Sequence, residues 1–338
     1  MSTEQPTEKN SSSAEIASAD PSPEGRQMTL RDDLKHCGCG FLMGATDVVP
    51  GISGGTMALI VGIYERLVSA ISHIDRTFLQ HVLARRFRRA AQHADLRFLV
   101  VLGCGILLGA GGLASVIKVL LTDHRTLTYA AFTGMILASS LLVARQVQLW
   151  SMKRAGLMLL AATIAWWLIT LPSLQNPPDS MVYLFFCGMI GISAMILPGI
   201  SGAFILLLLS RYETVLNAIR SFVHLELSAA VLTTLVVFSL GCLTGLLAFS
   251  RVLKQLLRTH HDATIAVLCG LMLGSLYRLW PFQQDLTPNV MELKHKLFEH
   301  VWPSSTGEIW PAAFTAVVAG GLVLTLDAVG RRIGHPAL

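Results

Sequence analysis

The sequence predicts an all-α polytopic membrane protein, an inverted-topology repeat with about six spanning helices and two re-entrant helical hairpins. Three observations predict it. The 338-residue chain is 53% hydrophobic and only 14% charged, which is the composition of a helical membrane protein and not of a soluble domain. The phrase Pro-Gly-Ile-Ser-Gly occurs twice inside apolar stretches, at Pro50–Gly54 and at Pro198–Gly202. Three bilayer-length apolar runs separate the copies, and an odd number of crossings inverts the second copy relative to the first.

Residues 1–28 are rich in Ser, Pro and Glu and read as a disordered cytoplasmic tail. Without a basic start and an apolar core they do not form a signal peptide. A first repeat follows over 29–150. Its incoming arm, Gly38 to Val49, reaches about 18 Å as helix and so enters a hydrocarbon core of about 30 Å without crossing it. The helix breaks at Pro50 and Gly51, and a single outgoing helix from Gly54 to about Ile71 returns to the starting side. Apolar runs near 96–121 and 127–144 then cross, and the run at 155–172 forms a linking transmembrane helix within 151–175. The second repeat, 176–283, has arms at about 182–197 and 202–219, a break at Pro198 and Gly199, and crossings near 229–250 and 263–280. Residues 284–338 complete the chain as an external loop and a C-terminal transmembrane helix with its apolar run at 309–329. The halves also match elsewhere: Val116, Lys118, Leu120, Leu121 and His124 align with Val252, Lys254, Leu256, Leu257 and His260. Thr128, Gly134 and Ser139 align with Thr264, Gly270 and Ser275.

Loop charge sets the orientation. Arg31 and Lys35 precede the first hairpin and Arg76, Arg85, Arg86, Arg88, Arg89 and Arg97 follow it, so both its flanks are expected in the cytoplasm. Arg145–Arg154, Arg251–Arg258 and Arg331–Arg332 fall on that same side, with both termini. The net charge of +5 therefore reads as membrane orientation and not as a nucleic-acid surface.

At each break the outgoing helix begins with unpaired amide N–H groups, a positive dipole end and a Ser hydroxyl, which together suit a phosphate or carboxylate. Ser53, Gly54, Gly55, Thr56, Ser201 and Gly202 are the candidate binding residues, against the plainer reading that Pro and Gly kink packed helices and Ser caps them. Asp47, three residues before Pro50, is either an ion or proton carrier at membrane depth or a cap on the break. Glu65 and Glu213, in matched Tyr-Glu pairs, are gates, proton carriers or interfacial salt-bridge partners, and Arg211 is a candidate for attracting an anion on the external side. Lys118 and Lys254 read as snorkelling pairs, and the six cysteines as small buried thiols. No Ser-His-Asp ordering, HExxH, Walker or Rossmann pattern occurs, and no catalytic residue, metal or cofactor is expected.

The run Asp47-Val-Val-Pro-Gly-Ile-Ser-Gly-Gly-Thr56, then Gly62-Ile-Tyr-Glu65 and later Leu197-Pro-Gly-Ile-Ser-Gly202, resembles the DUF368 family over roughly residues 30–332. The resemblance implies transport of a polyprenyl-phosphate lipid, in particular undecaprenyl phosphate, across the bacterial inner membrane for reuse in envelope polymers. It implies movement from the outer to the cytoplasmic leaflet; the helix starts add the expectation that the binding residues above contact the phosphate while the tail stays in lipid, with Arg211 aiding capture. A polyprenyl-diphosphate phosphatase and an inorganic-anion channel or exporter are the rival readings. The second copy has Ala203 and Phe204 where the first has Gly55 and Thr56, so the half-sites are not equivalent.

Overall fold

The computed structural model describes residues 29–47, 53–286, 298–303 and 305–332. The expectations for the 1–28 tail and for the break residues Pro50 and Gly51 lie outside the described residues. The fold is all-α apart from one short antiparallel pair, β1 (Gln283–Asp285) with β2 (Phe298–His300), in the segment expected to be an external loop.

The first half opens with α1 (Leu30–Asp47), α2 (Gly54–Ile60) and α3 (Tyr64–Ser72), followed by short α4 (Arg76–Leu83) and α5 (Phe87–His93). Three long helices come next: α6 (Leu96–Asp123), α7 (Arg125–Ala144) and α8 (Met152–Thr170). The second half runs as α9 (Met181–Ile196), α10 (Gly202–Leu208), α11 (Tyr212–Val223), α12 (Ala229–Thr259), α13 (His261–Ser275) with a 3-10 turn over Leu276–Leu279, and α14 (Thr306–Arg332), without counterparts of α4 and α5. Among the described residues six helices are long and apolar enough to cross a membrane, at the six runs expected from the sequence, or up to eight if each bent pair counts as one span.

Two expectations need correction. The incoming arm of the first hairpin starts at Leu30 and not near Gly38, so α1 has 18 residues and is about 27 Å long. Its length therefore does not by itself keep it from crossing; the faces reached by its neighbours do. The outgoing arms are also not single helices. Each ends after seven residues and bends, by 119° between α2 and α3 and by 116° between α10 and α11. Left-handed backbone makes both bends, at Gly62 (φ 71°) and Ser210 (φ 52°). The segments after the bends are amphipathic: Tyr64 and Val68 are buried and Glu65 exposed in α3, with Tyr212 and Val215 buried and Glu213 exposed in α11.

Side-chain contacts show which ends share a face. On one face Arg97 meets Asp33, Arg66 meets Asp95, and Arg251 donates to the Ile74 carbonyl. There too Lys254 reaches His73 at 2.9 Å in place of snorkelling, and Asp262 accepts from the amides of Gln148 and Leu149. On the opposite face Leu174 pairs with Leu208, Arg211 with Asp179, and Arg125 with Gln283. The first hairpin thus enters from the first face and the second from the other.

Packing follows the same correspondence. A Cβ at Gly105 or Gly109 of α6 would fall 2.2 or 2.0 Å from the Cys37 or Phe41 carbonyl oxygen of α1. Gly241 and Gly245 of α12 stand likewise 2.1 and 2.4 Å from the Phe185 and Met189 oxygens of α9. Small residues here let the backbones touch, the usual basis of helix association in lipid. The last helix of each half is exchanged: α14 packs along α7, and α8 along α13. As a result α7 and α13 form the interior, with 61% of each span buried, while α8 and α12 at 11% and α14 at 17% are peripheral. Cys187 and Cys269 are the buried thiols; Cys104 is exposed on α6, against expectation.

Candidate functional site

The hairpin tips meet at the centre of the molecule. Ser53 is extended (φ −108°, ψ 139°) and caps α2, its hydroxyl accepting from the Gly55 amide at 3.1 Å. The same hydroxyl lies 3.1 Å from the Met195 carbonyl oxygen, to which it donates, so it joins the two tips. Thr56 makes a second link by accepting the Gly199 amide at 2.8 Å. Both side chains are fully buried. Gly55 has no room for a side chain, since a Cβ would lie 2.6 Å from the Ile196 oxygen. Gly199 needs its left-handed φ of 88° and sits as tightly against the Leu271 oxygen.

Asp47 occupies the start of α2. Its carboxylate accepts the Gly54 amide at 2.6 Å, the capping geometry anticipated as one of its two roles. The second tip differs at several of these points. Met195 stands in Asp47's place, Ser201 makes no side-chain cap, and Gly202 is buried against the Gly191 oxygen. Ala203 is exposed and Phe204 partly buried.

The outlying candidates sit apart from the tips. Glu65 is exposed and meets His261 at 3.3 Å, while its neighbour Arg66 pairs with Asp95 at 2.8 Å and lies 2.9 Å from His36. Glu213 is exposed at the start of α11. Arg211 is folded back on the loop before α9, bonded to the Pro178 carbonyl and to Asp179 at 3.1 Å, with the Tyr183 ring 5.5 Å away.

Sequence reasoning missed two cations. Arg278, in the turn after α13, lies 4.8 Å from the centre of the Phe204 ring beside the second tip. Arg125 lies 4.9 Å from the Tyr129 ring and donates to Gln283 at 2.9 Å. Arg278 carried a readable signal, a charge inside the 263–280 apolar run, and such charges in membrane segments mark function. Burial and the Arg278 charge together hold the nearby His300 imidazole below its ordinary pKa.

Residues 43–296 match the VCA0040-like family, described as undecaprenyl phosphate translocase-like. A polyprenyl-phosphate transporter of Vibrio cholerae is 39% identical over 248 residues, covering 73% of this chain and 78% of the relative. A polyprenyl-phosphate transporter of Staphylococcus aureus is 33% identical over 258 residues, covering 72% of this chain and 84% of that protein. No solved structure matches the chain. By the extent of the family match and by both relatives, the chain belongs to the undecaprenyl phosphate translocase-like family.

Proposed function

We propose that the protein is a flippase that moves undecaprenyl phosphate across the bacterial inner membrane, from the outer to the cytoplasmic leaflet. The observation that carries this reading is the meeting of two hairpins, entered from opposite faces, in a chain whose relatives carry the name polyprenyl-phosphate transporter. An inverted repeat around one polar centre gives two alternate routes of access to a single site. In this reading 29–150 and 176–283 are the repeats, and α8 and α14 are the helices each half contributes to the other. The polyprenyl tail already sits in lipid, so only the phosphate needs a path past hydrocarbon.

The basic face is the cytoplasmic one, with both termini on it. Ser201 and Gly202, together with the tip formed by Ser53, Gly54, Gly55 and Thr56, bound the phosphate path. Ser53 and Thr56 form the seam that must part or shift when the site changes sides. Asp47 is the proton-exchanging group, with Glu65 and Glu213 near the two mouths and Arg211 on the external approach. This reading takes the protein as a translocase that moves its substrate intact, with Asp47 as the acid at the start of α2.

Reconstitution into vesicles with a polyprenyl phosphate in both leaflets tests the function. The expected result is protein-dependent loss of the lipid from one leaflet's accessible pool without phosphate release. Release of inorganic phosphate from a polyprenyl diphosphate at a comparable rate would replace the transporter by a phosphatase. Flux of inorganic anion in vesicles lacking the lipid would replace it by a channel or exporter.

A further inference from the structure

Arg278 is not accounted for by the paired hairpins. It lies within the span 261–279, partly buried, with its guanidinium carbon 4.8 Å from the Phe204 ring centre. Among the described residues no carboxylate pairs with it. A cation in a membrane segment is costly and marks a substrate or ion path. A guanidinium is also the side chain best matched to phosphate, because its planar fork donates two parallel bonds to one anion. Attraction to the Phe204 ring holds that fork on one side and leaves its donors available.

The location suits an anion on its way to the tip. Phe204 lies on α10, three residues after Ser201. Met272 packs against Gly199 at the tip, and Arg278 is six residues further along the chain, about 9 Å nearer the Arg125–Gln283 face. The first half has neither partner of this pair. Aligning Ser275 with Ser139 puts Leu142 at the position of Arg278, and Thr56 stands at that of Phe204. What the second tip lacks in hydroxyls it has in a guanidinium on an aromatic support.

We infer that Arg278, held by Phe204, binds the phosphomonoester headgroup of the transported lipid on the second-tip side of its path. The inference rests on the lipid-phosphate reading above. Arg278 is then a substrate-binding residue that exchanges water for two phosphate oxygens, while Ser201 lies deeper on the same path.

The full chain in nanodiscs, titrated with a C15 polyprenyl phosphate, the matching C15 polyprenol and inorganic phosphate, tests it by native mass spectrometry. The wild type should prefer the phosphate lipid over the alcohol by tenfold or more, and Arg278→Ala should abolish that preference while leaving alcohol binding in place. Arg278→Lys should keep part of the preference, since a point charge lacks the fork. Phe204→Ala, which removes only the support, should lower it severalfold. Full preference in Arg278→Ala would overturn the inference and leave the transporter reading intact. If that variant loses the alcohol as well, unchanged preference in both Arg278→Lys and Phe204→Ala overturns it. No preference in the wild type would overturn the lipid-phosphate reading and this inference with it. Inorganic phosphate competing as tightly as the lipid would assign Arg278 to free phosphate and overturn the headgroup assignment.

Discussion

At the first tip an acid caps the outgoing helix, a serine hydroxyl bonds on both sides, and a threonine accepts an amide from the opposite hairpin. At the second, the acid is replaced by Met195, the serine makes no cap, and the threonine is replaced by Phe204 under Arg278. A shared phrase has therefore become two kinds of place. At the first, the Asp47, Ser53 and Thr56 side chains are bonded within the protein; at the second, Ser201 makes no side-chain cap. Likeness of two sequence phrases need not mean likeness of their chemistry.

The comparison breaks most sharply at Gly55. Gly55→Val forces a branched side chain to within 2.6 Å of the Ile196 oxygen and should prevent the tips from meeting, at a cost of about 3 kcal/mol or more. Melting in detergent should fall by many degrees and transport should vanish; a wild-type melting curve would mean the seam is not closed in the protein. Thr56→Val leaves the buried Gly199 amide without its acceptor, for a loss of about 1–3 kcal/mol, and Thr56→Ser should restore most of it. Equal stability of the valine and serine variants would remove this link from the account.

Serine scanning separates joint from site. Ser53→Ala should lower stability by about 1 kcal/mol. Ser201→Ala should change it by less than about 0.5 kcal/mol, since that side chain makes no cap, while reducing transport roughly tenfold. Reversed roles, with stability lost at Ser201 and transport at Ser53, would invert the assignment. Asp47→Asn keeps an acceptor for the Gly54 amide, so the fold should hold while the pH dependence of transport flattens. An unchanged pH profile would leave Asp47 as a cap and nothing more.

The smallest effect is at the contact between α3 and α12. His73 lies beside Lys254 at 2.9 Å; burial, then the Lys254 charge, then His93 hold its pKa below the ordinary histidine value of 6.5, against the weaker upward pull of Asp75. The neutral ring is the form that accepts from the ammonium. Because the folded pKa is the lower one, this contribution is complete above about pH 6.5 and is lost as pH falls through the folded value. Melting measured from pH 7.5 down to 5 should show a small drop that His73→Gln removes; the same drop in both proteins would place the titrating group elsewhere.

Much of this was readable beforehand. The spans and their order follow from apolar length. Gly105 and Gly109 on α6, like Gly241 and Gly245 on α12, are where neighbouring backbones come closest. Other features depend on where chains meet. Nothing local says that the Ser53 hydroxyl would face Met195 and not a ligand, because its partner is 142 residues away. The bend at Ser210 needs a left-handed serine, which sequence does not announce as a glycine does. Arg278 was visible as a charge in an apolar run, but its relation to Phe204 required the fold.

The exchange of α8 and α14 has a consequence for how the protein is made. α7 enters the membrane long before α14, its packing partner, leaves the ribosome, since 161 residues separate the end of one from the start of the other (306 minus 144, less one). At about 5–20 residues per second this is a wait of roughly 8–30 seconds. During that interval the groove around Gly134, later filled by Ala316, faces lipid or a chaperone. The interior helix α7 therefore gains its long packing partner only when α14 arrives.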